Sequence, residues 1–464
     1  MKPLARNIVL SSFLSAFLLA ASGSPGSLAT GSLAVPVASA DTGGPAPAQI
    51  EEFELVESVP VETDLDNGNI RNTHEVWLEM IGKAARSIDL EQFYVSNAPG
   101  QPLEDVLAAI VSAADRGVRV RFVVDAGMYK TYPEVLDSLA AMENVDVRKI
   151  DMRRVSGGPM HAKYFVVDKK ELFVGSQNFD WRALKHIHEM GCRVRSAELC
   201  EIFSDLFELD WQLAERGRLQ IVAGGQEAGA ESDTSDGCGM VRQYALPLTC
   251  VAEVPFPRAL KAEQLAAVVK EAIKVWPVYS PGTCIPDERL WDEKRLVSML
   301  DGARSEVLVQ LLTYSALDEA GYYDVLDSAL RRAAARGVAV KLLVSDWAKV
   351  TPKIECLKSL EVLPNVEVKL STIPLWSGGF VPYARVEHCK YMVVDGEVSW
   401  IGTSNWERNY FHEARNAGLV VEGKSIGKML HDVFYKSWGS KYAFQVRPEV
   451  NYAPPKRSDP ASPR

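Results

Sequence analysis

The second half of this chain repeats the first, and that duplication limits the possible folds more than any other feature of its 464 residues. Three blocks recur in the same order. "WLEMIGKAARSIDLEQFYVSN" from Trp77 returns as "LVSMLDGARSEVLVQLLTYSA" from Leu296, with apolar residues at helical spacing followed by an apolar run, which predicts a helix and then a strand. "VLAAIVSAADRGVRVRFVVD" returns as "VLDSALRRAAARGVAVKLLVSD", with Gly117 and Gly337 placed to end a helix before a buried strand. The third pair is "HAKYFVVDKKELFVGSQNFDWRALKHIHEMG" and "HCKYMVVDGEVSWIGTSNWERNYFHEARNAG". The expected fold is α/β, with two pseudo-symmetric lobes, each a mixed, mostly parallel sheet flanked by helices, and a shared site between them.

A repeat that served structure alone would preserve apolar and glycine periodicity. Here the polar residues recur too. His161, Lys163, Asp168, Gly175, Ser176 and Asn178 in the first half match His388, Lys390, Asp395, Gly402, Thr403 and Asn405 in the second, both reading H-x-K-x4-D-x6-G-[ST]-x-N. The β-branched residues around each motif predict a strand, on which residues two apart share a face. His161 therefore points with Lys163, and His388 with Lys390. Asp168 and Asp395 fall an odd number of residues from their histidines, so although they belong to the motif their expected role is structural, at a turn.

A lysine buried beside a histidine costs several kcal/mol unless an anion compensates it, and a phosphate held between two such pairs would do so. Cleaving a phosphodiester in two steps needs a nucleophile for the phosphoryl group and an acid for the leaving oxygen, which two facing imidazoles supply. Lys163, Lys390, Asn178 and Asn405 are the expected phosphate-binding residues, with Ser176 and Thr403 in support. Glu189 and Glu413 are candidates for orienting an imidazole through its second nitrogen. His186-x-His188-Glu189 suggests a metal site, but Lys163 and Lys390 would repel a cation, so neither metal nor cofactor is expected. His74, His186, His188, His412 and His431 lack full counterparts and are expected to lie outside catalysis. Trp181, Trp376, Trp406, Tyr410 and Phe411 are candidates for stacking on bases or contacting acyl chains.

At 47% hydrophobic and 24% charged residues, the chain shows no fibrous, disordered or multi-spanning signature. Lys2 and Arg6, an apolar run from Ile8 to Ala21 and the sequence Ala38-Ser39-Ala40 read as a cleavable secretory signal over residues 1–40. The alternatives are a cut near Gly23 or an uncleaved membrane tether. Removal of residues 1–40 takes the formal charge from -10 to -12, so a polyanion would have to be gripped in a local cationic cleft. The seven cysteines permit up to three disulfides in an exported chain. Residues 41–222 and 251–446 are the expected lobes. Residues 223–250, rich in Gly, Ser and acids, are the expected flexible linker, and 447–464 a disordered tail.

The duplicated motif resembles the HKD motif of the phospholipase D superfamily, and the resemblance runs from residue 50 to about 446. "FELVESVP", "NFDWRAL", "PYARVEHCKYMVV" and "WIGTSNWERNYF" look like the animal lysosomal phospholipase D3/D4-type group. That resemblance implies 5′-exonuclease action on single-stranded nucleic acid or lysophospholipid transphosphatidylation. It also implies His161 as the nucleophile that becomes phosphohistidine and His388 as the general acid. A phospholipid or a single-stranded nucleic acid is the implied partner, with peripheral membrane contact and no obligate protein partner. The competing reading is a catalytically silent phosphate- or surface-binding protein on the same scaffold.

Overall fold

The computed structural model describes residues 50–216, 244, 246, 248–254 and 269–458. The expected signal segment and most of the expected linker lie outside these residues.

In the first half the strand Ser87–Gln92 runs parallel to Arg119–Asp125, which runs parallel to Val145–Ile150. On its other side it meets Lys163–Val167 antiparallel, and the sheet continues antiparallel through Glu171–Gly175, Ile187–Arg195 and Glu52–Ser58. The second half repeats the plan with Glu306–Leu311, Ala339–Ser345 and Val366–Ser371 parallel. Tyr391–Val394, Val398–Gly402, Asn416–Glu422 and Val269–Ser280 follow antiparallel. Each lobe is thus a mixed sheet flanked by helices, with more antiparallel pairing than expected. The reason is local: tight turns after Asp168 and Asp395 can only reverse the chain.

Those turns explain the motif aspartates. Asp168 has φ 55° and Asp395 φ 54°, and each carboxylate reaches back to the start of its lobe's central strand. Asp168 accepts from the backbone N–H of Ala85, Arg86 and Ser87 at 2.9, 2.7 and 2.9 Å. Asp395 accepts from those of Arg304, Ser305 and Glu306 at 3.0, 2.8 and 3.0 Å. Both act as turn clamps, their carboxylates bonded to strand-start backbone and to neither motif imidazole, which sets them apart from the catalytic set suggested by the motif.

The helices Leu103–Asp115 and Val325–Ala335 end at Gly117 (φ 85°) and Gly337 (φ 88°), a conformation that favours glycine. Each half has its own core, around Trp77 and Phe165 in the first and Trp400 and Trp406 in the second. A third core, with Tyr164, Phe203, Tyr279 and Tyr391, joins them. Residues 248–250, placed in the linker from sequence, belong to the strand Leu248–Val254, which pairs antiparallel with Val269–Ser280. Among the described residues the two half-sheets merge into one of 18 strands. Residues 447–458, expected in a disordered tail, follow the second lobe; the Tyr383 N–H donates to the Arg457 carbonyl at 2.8 Å.

Cys192, Cys200, Cys356 and Cys389 are buried free thiols among the described residues, so the seven cysteines form at most one disulfide rather than three. Among the described residues no helix is long and apolar enough to cross a membrane.

Candidate active site

Each motif histidine lies just before its strand and is fixed by backbone from the opposite half. The His161 N–H donates to the Arg415 carbonyl at 2.8 Å, and the His388 N–H to the His188 carbonyl at 2.9 Å. Lys163 Nζ donates to the His161 carbonyl at 2.7 Å and Lys390 Nζ to that of His388 at 2.8 Å. Both lysines are fully buried, and neither has an ion-pair partner among the described residues. Burial, then the opposite lysine, pushes the Lys163 ammonium well below its usual range. Burial takes Lys390 down to about 8, with Glu189 resisting. Two buried lysines thus lie with two imidazoles of which only a few per cent is exposed, a setting in which a phosphate oxygen would be bound.

The second ring nitrogens are held across the seam between halves. His388 Nδ1 lies 2.7 Å from Glu189 Oε2, and His161 Nδ1 lies 3.0 Å from Asn416 Oδ1. Ser176 Oγ donates to Glu189 Oε2 at 2.5 Å, and Thr403 Oγ1 donates to Asn416 Oδ1 at 2.9 Å. Asn416 Nδ2 donates to the carbonyls of Tyr410 and Ala414 at 2.8 and 3.2 Å, so its oxygen must face His161. Both imidazoles therefore carry their proton on Nδ1 when neutral and present a lone pair on Nε2.

Glu413 does not orient a histidine. Its side chain packs near Gly157, its carbonyl accepts from Ser156 Oγ at 2.5 Å, and Asn416 occupies the place foreseen for it. The signal was in the spacing: Glu189 follows Asn178 by eleven residues, and so does Asn416 follow Asn405. Two residues on, Gly191 faces Gly175 and Gly418 faces Gly402. A Cβ on Gly418 would come within 2.6 Å of the Ile401 carbonyl, so the close approach that brings Ser176 and Thr403 to their partners requires glycine.

Burial, then the lysines, pulls both imidazoles well below their ordinary value, and burial pushes the Glu189 carboxyl up against Lys390, Ser176 and Lys163. Asn178 Oδ1 is buried without a hydrogen-bond partner among the described residues, whereas Asn405 Oδ1 accepts from the Thr313 N–H at 3.4 Å. Tyr410 sits 5.1 Å from the His161 ring, while Trp406 and Phe411 are core residues. Trp181 and Trp376 flank His186, at 5.6 and 5.0 Å. Sequence reasoning missed Phe93, whose ring is 4.9 Å from His161 and beneath Lys163 Nζ; nothing local marks it. His74, His412 and His431 pair with Asp105, Glu293 and Glu306 elsewhere.

Among the described residues one set, His188, Glu387 and Cys389, brings cation-ligating atoms within 4.8 Å of one another. Its carboxylate is already engaged by His188 Nδ1 at 2.7 Å and by the Cys389 N–H at 3.1 Å, which makes it an ion pair.

The chain matches the family model described as "Cardiolipin synthase, PLD-like domain" at residues 77–211 and 296–438, one copy for each half. It is 30% identical over 425 residues to the 5′-3′ exonuclease PLD3 of Bos taurus, covering 85% of this chain and 81% of that one. It is 28% identical over 412 residues to phospholipase D Z of Dictyostelium discoideum, covering 85% and 90%. A solved phosphatidylserine synthase from Haemophilus influenzae Rd KW20 shares the fold, with TM-score 0.55 at 12% identity and 88% and 89% coverage. With both copies of the motif facing one cationic pocket, the chain belongs to the phospholipase D-like family and is a phosphodiesterase of that superfamily.

Proposed function

We propose that the chain cleaves phosphodiesters without a metal, through a phosphohistidine on His388, with His161 as the general acid. The resemblance gave these roles the other way round. The observation behind the reversal is the difference in Nδ1 partners: a carboxylate for His388, an amide for His161. Attack by Nε2 of His388 on phosphorus makes that ring a cation, which the Glu189 carboxylate stabilises. A carboxylate partner favours an imidazolium by roughly 1–3 pKa units, or about 1.4–4 kcal/mol. His161, lacking that support, is the stronger acid once protonated, and its Nε2 proton passes to the leaving alkoxide as the P–O bond breaks. Water then attacks the phosphohistidine, His161 takes its proton and the P–N bond breaks. Lys163, Lys390, Asn178 and Asn405 hold the non-bridging oxygens.

The favoured substrate is the 5′ end of a single-stranded nucleic acid. Phe93 and Tyr410 stand beside His161, and Tyr94 stacks on Tyr132 at 5.1 Å, a ledge suited to a base. The exonuclease relatives support this reading. Likeness to phospholipase D Z supports a second, a phospholipid headgroup. The protein would act outside the cytosol after cleavage at Ala40, which N-terminal sequencing of the exported product tests.

The direct experiment offers purified protein, in EDTA, a 5′-hydroxyl single-stranded oligonucleotide and phosphatidylcholine in parallel, with His388→Ala as control. Stepwise shortening is expected. Choline release alone would move the assignment to lipid; silence on both would leave a phosphate-binding protein.

A further inference from the structure

Ile187–Arg195 and Val386–Glu387 run parallel for two residues, Ile187 opposite Val386 and His188 opposite Glu387. This short ladder joins the halves right beside the site. Neighbouring residues on a strand face opposite sides. Glu189 and His388 meet on the side of the lysines, while His188 and Glu387 meet behind them. The front pair is 2.7 Å apart and so is the back pair, with His188 and Glu387 completely buried. They are wired in opposite senses: in front the second half gives the histidine, behind it gives the carboxylate.

The surroundings of the back pair are polar and closed. Glu57, from Glu52–Ser58, faces His188 and is held by the N–H and Nδ2 of Asn67 at 2.7 and 2.8 Å, with Asp66 near it. The exposed Lys436, from the helix Lys424–Trp438, donates to the Asp66 carbonyl and acts weakly on His188, and Cys389 and Tyr391 adjoin Glu387. Burial pulls the His188 imidazole down, but Glu387 and Glu57 outweigh it and hold the ring above its ordinary value. Glu387 is held below its own, against burial, by His188. The pair is therefore ionic.

We propose that His188 and Glu387 are positioning residues of the reaction, an ion pair that clamps the seam from behind and sets the field felt by His388 in front. The inference rests on the phosphodiesterase reading for its consequence but not for its physics. A buried carboxylate left without its cation favours protonation of a neighbouring imidazole, and the loss of that carboxylate disfavours it.

The test labels the histidine rings of the full chain with nitrogen-15 and titrates the His388 ring, assigned by its absence in His388→Ala, alongside kcat/KM profiles. His188→Gln should raise the His388 titration by about half to one pH unit, and Glu387→Gln should lower it by a similar amount. His188→Arg, which keeps a cation, should restore the wild-type titration. In both glutamine variants kcat should fall about tenfold with KM within about twofold. Shifts of the same sign, no shift, or equal damage from Arg and Gln at position 188 would each overturn the clamp. Opposite shifts in a wild type that cleaves no phosphodiester would sink the functional reading alone; an active wild type without shifts would sink the clamp alone.

Discussion

Behind His388 stands Glu189; behind His161, at the same position of the repeat, stands Asn416. One layer further back the contrast continues. The residue before Glu189 is His188, paired with Glu387, while the residue before Asn416 is Arg415, whose guanidinium holds Asp210 at 2.7 and 2.8 Å, both fully buried. One half-site is backed by a histidine–carboxylate pair, the other by an arginine–carboxylate pair whose cation is permanent. The motif histidine, lysine and asparagine are the same in both halves, and the divergence begins just behind them. Two equal imidazoles would compete for one role; in the proposed mechanism the unequal partners divide attack from proton donation.

The largest expected effect tests that division directly. His388→Ala should lose at least about 10⁴-fold of kcat on any phosphodiester. His161→Ala should lose as much on an alkyl ester but come within about 100-fold of wild type on a p-nitrophenyl ester, whose leaving group needs no acid. If His388→Ala is the variant rescued, the roles are reversed. Next, Glu189→Gln should make the half-sites alike and cost roughly 10²–10³-fold in kcat, read by single-turnover kinetics. Asn416→Asp should make them alike the other way at less than tenfold cost. His161 acts as acid only when protonated, and burial holds it well below its ordinary value, so kcat/KM should peak below pH 6.5 and fall as pH rises. Adding a carboxylate should move that falling limb up by about one unit. The smallest catalytic effect belongs to the turns. Asp168→Asn and Asp395→Asn should leave kcat unchanged and lower unfolding free energy by about 1.5–3 kcal/mol at pH 7 by denaturant titration. Backbone and side-chain donors around Asp395 hold its carboxyl below the usual value against burial, so its contribution is present above that value and should vanish as pH falls through the folded one.

How much of this was legible follows from the range of each signal. The motif repeats and strand parity are local, so His161, Lys163, His388 and Lys390 could be placed together, and the turn role of Asp168 read, from sequence alone. Glu413 was named, and Asn416 passed over, because charge drew attention where spacing should have; the eleven-residue interval from each motif asparagine was there to count. Phe93 and the His188–Glu387 pair leave no such trace, since nothing near them in sequence says what they face. The antiparallel majority was readable in principle from the brevity of the turns, but the alternation of helix and strand suggested a mostly parallel sheet.

The crossed hydrogen bonds bear on how the enzyme comes into being. His161 waits for a partner 255 residues further along the chain, and His388 for one 199 residues back. Contacts of such separation close late, and a chain emerging from the ribosome can complete its first lobe long before Asn416 exists. The site shared by the two halves is thus incomplete until the second lobe has been made.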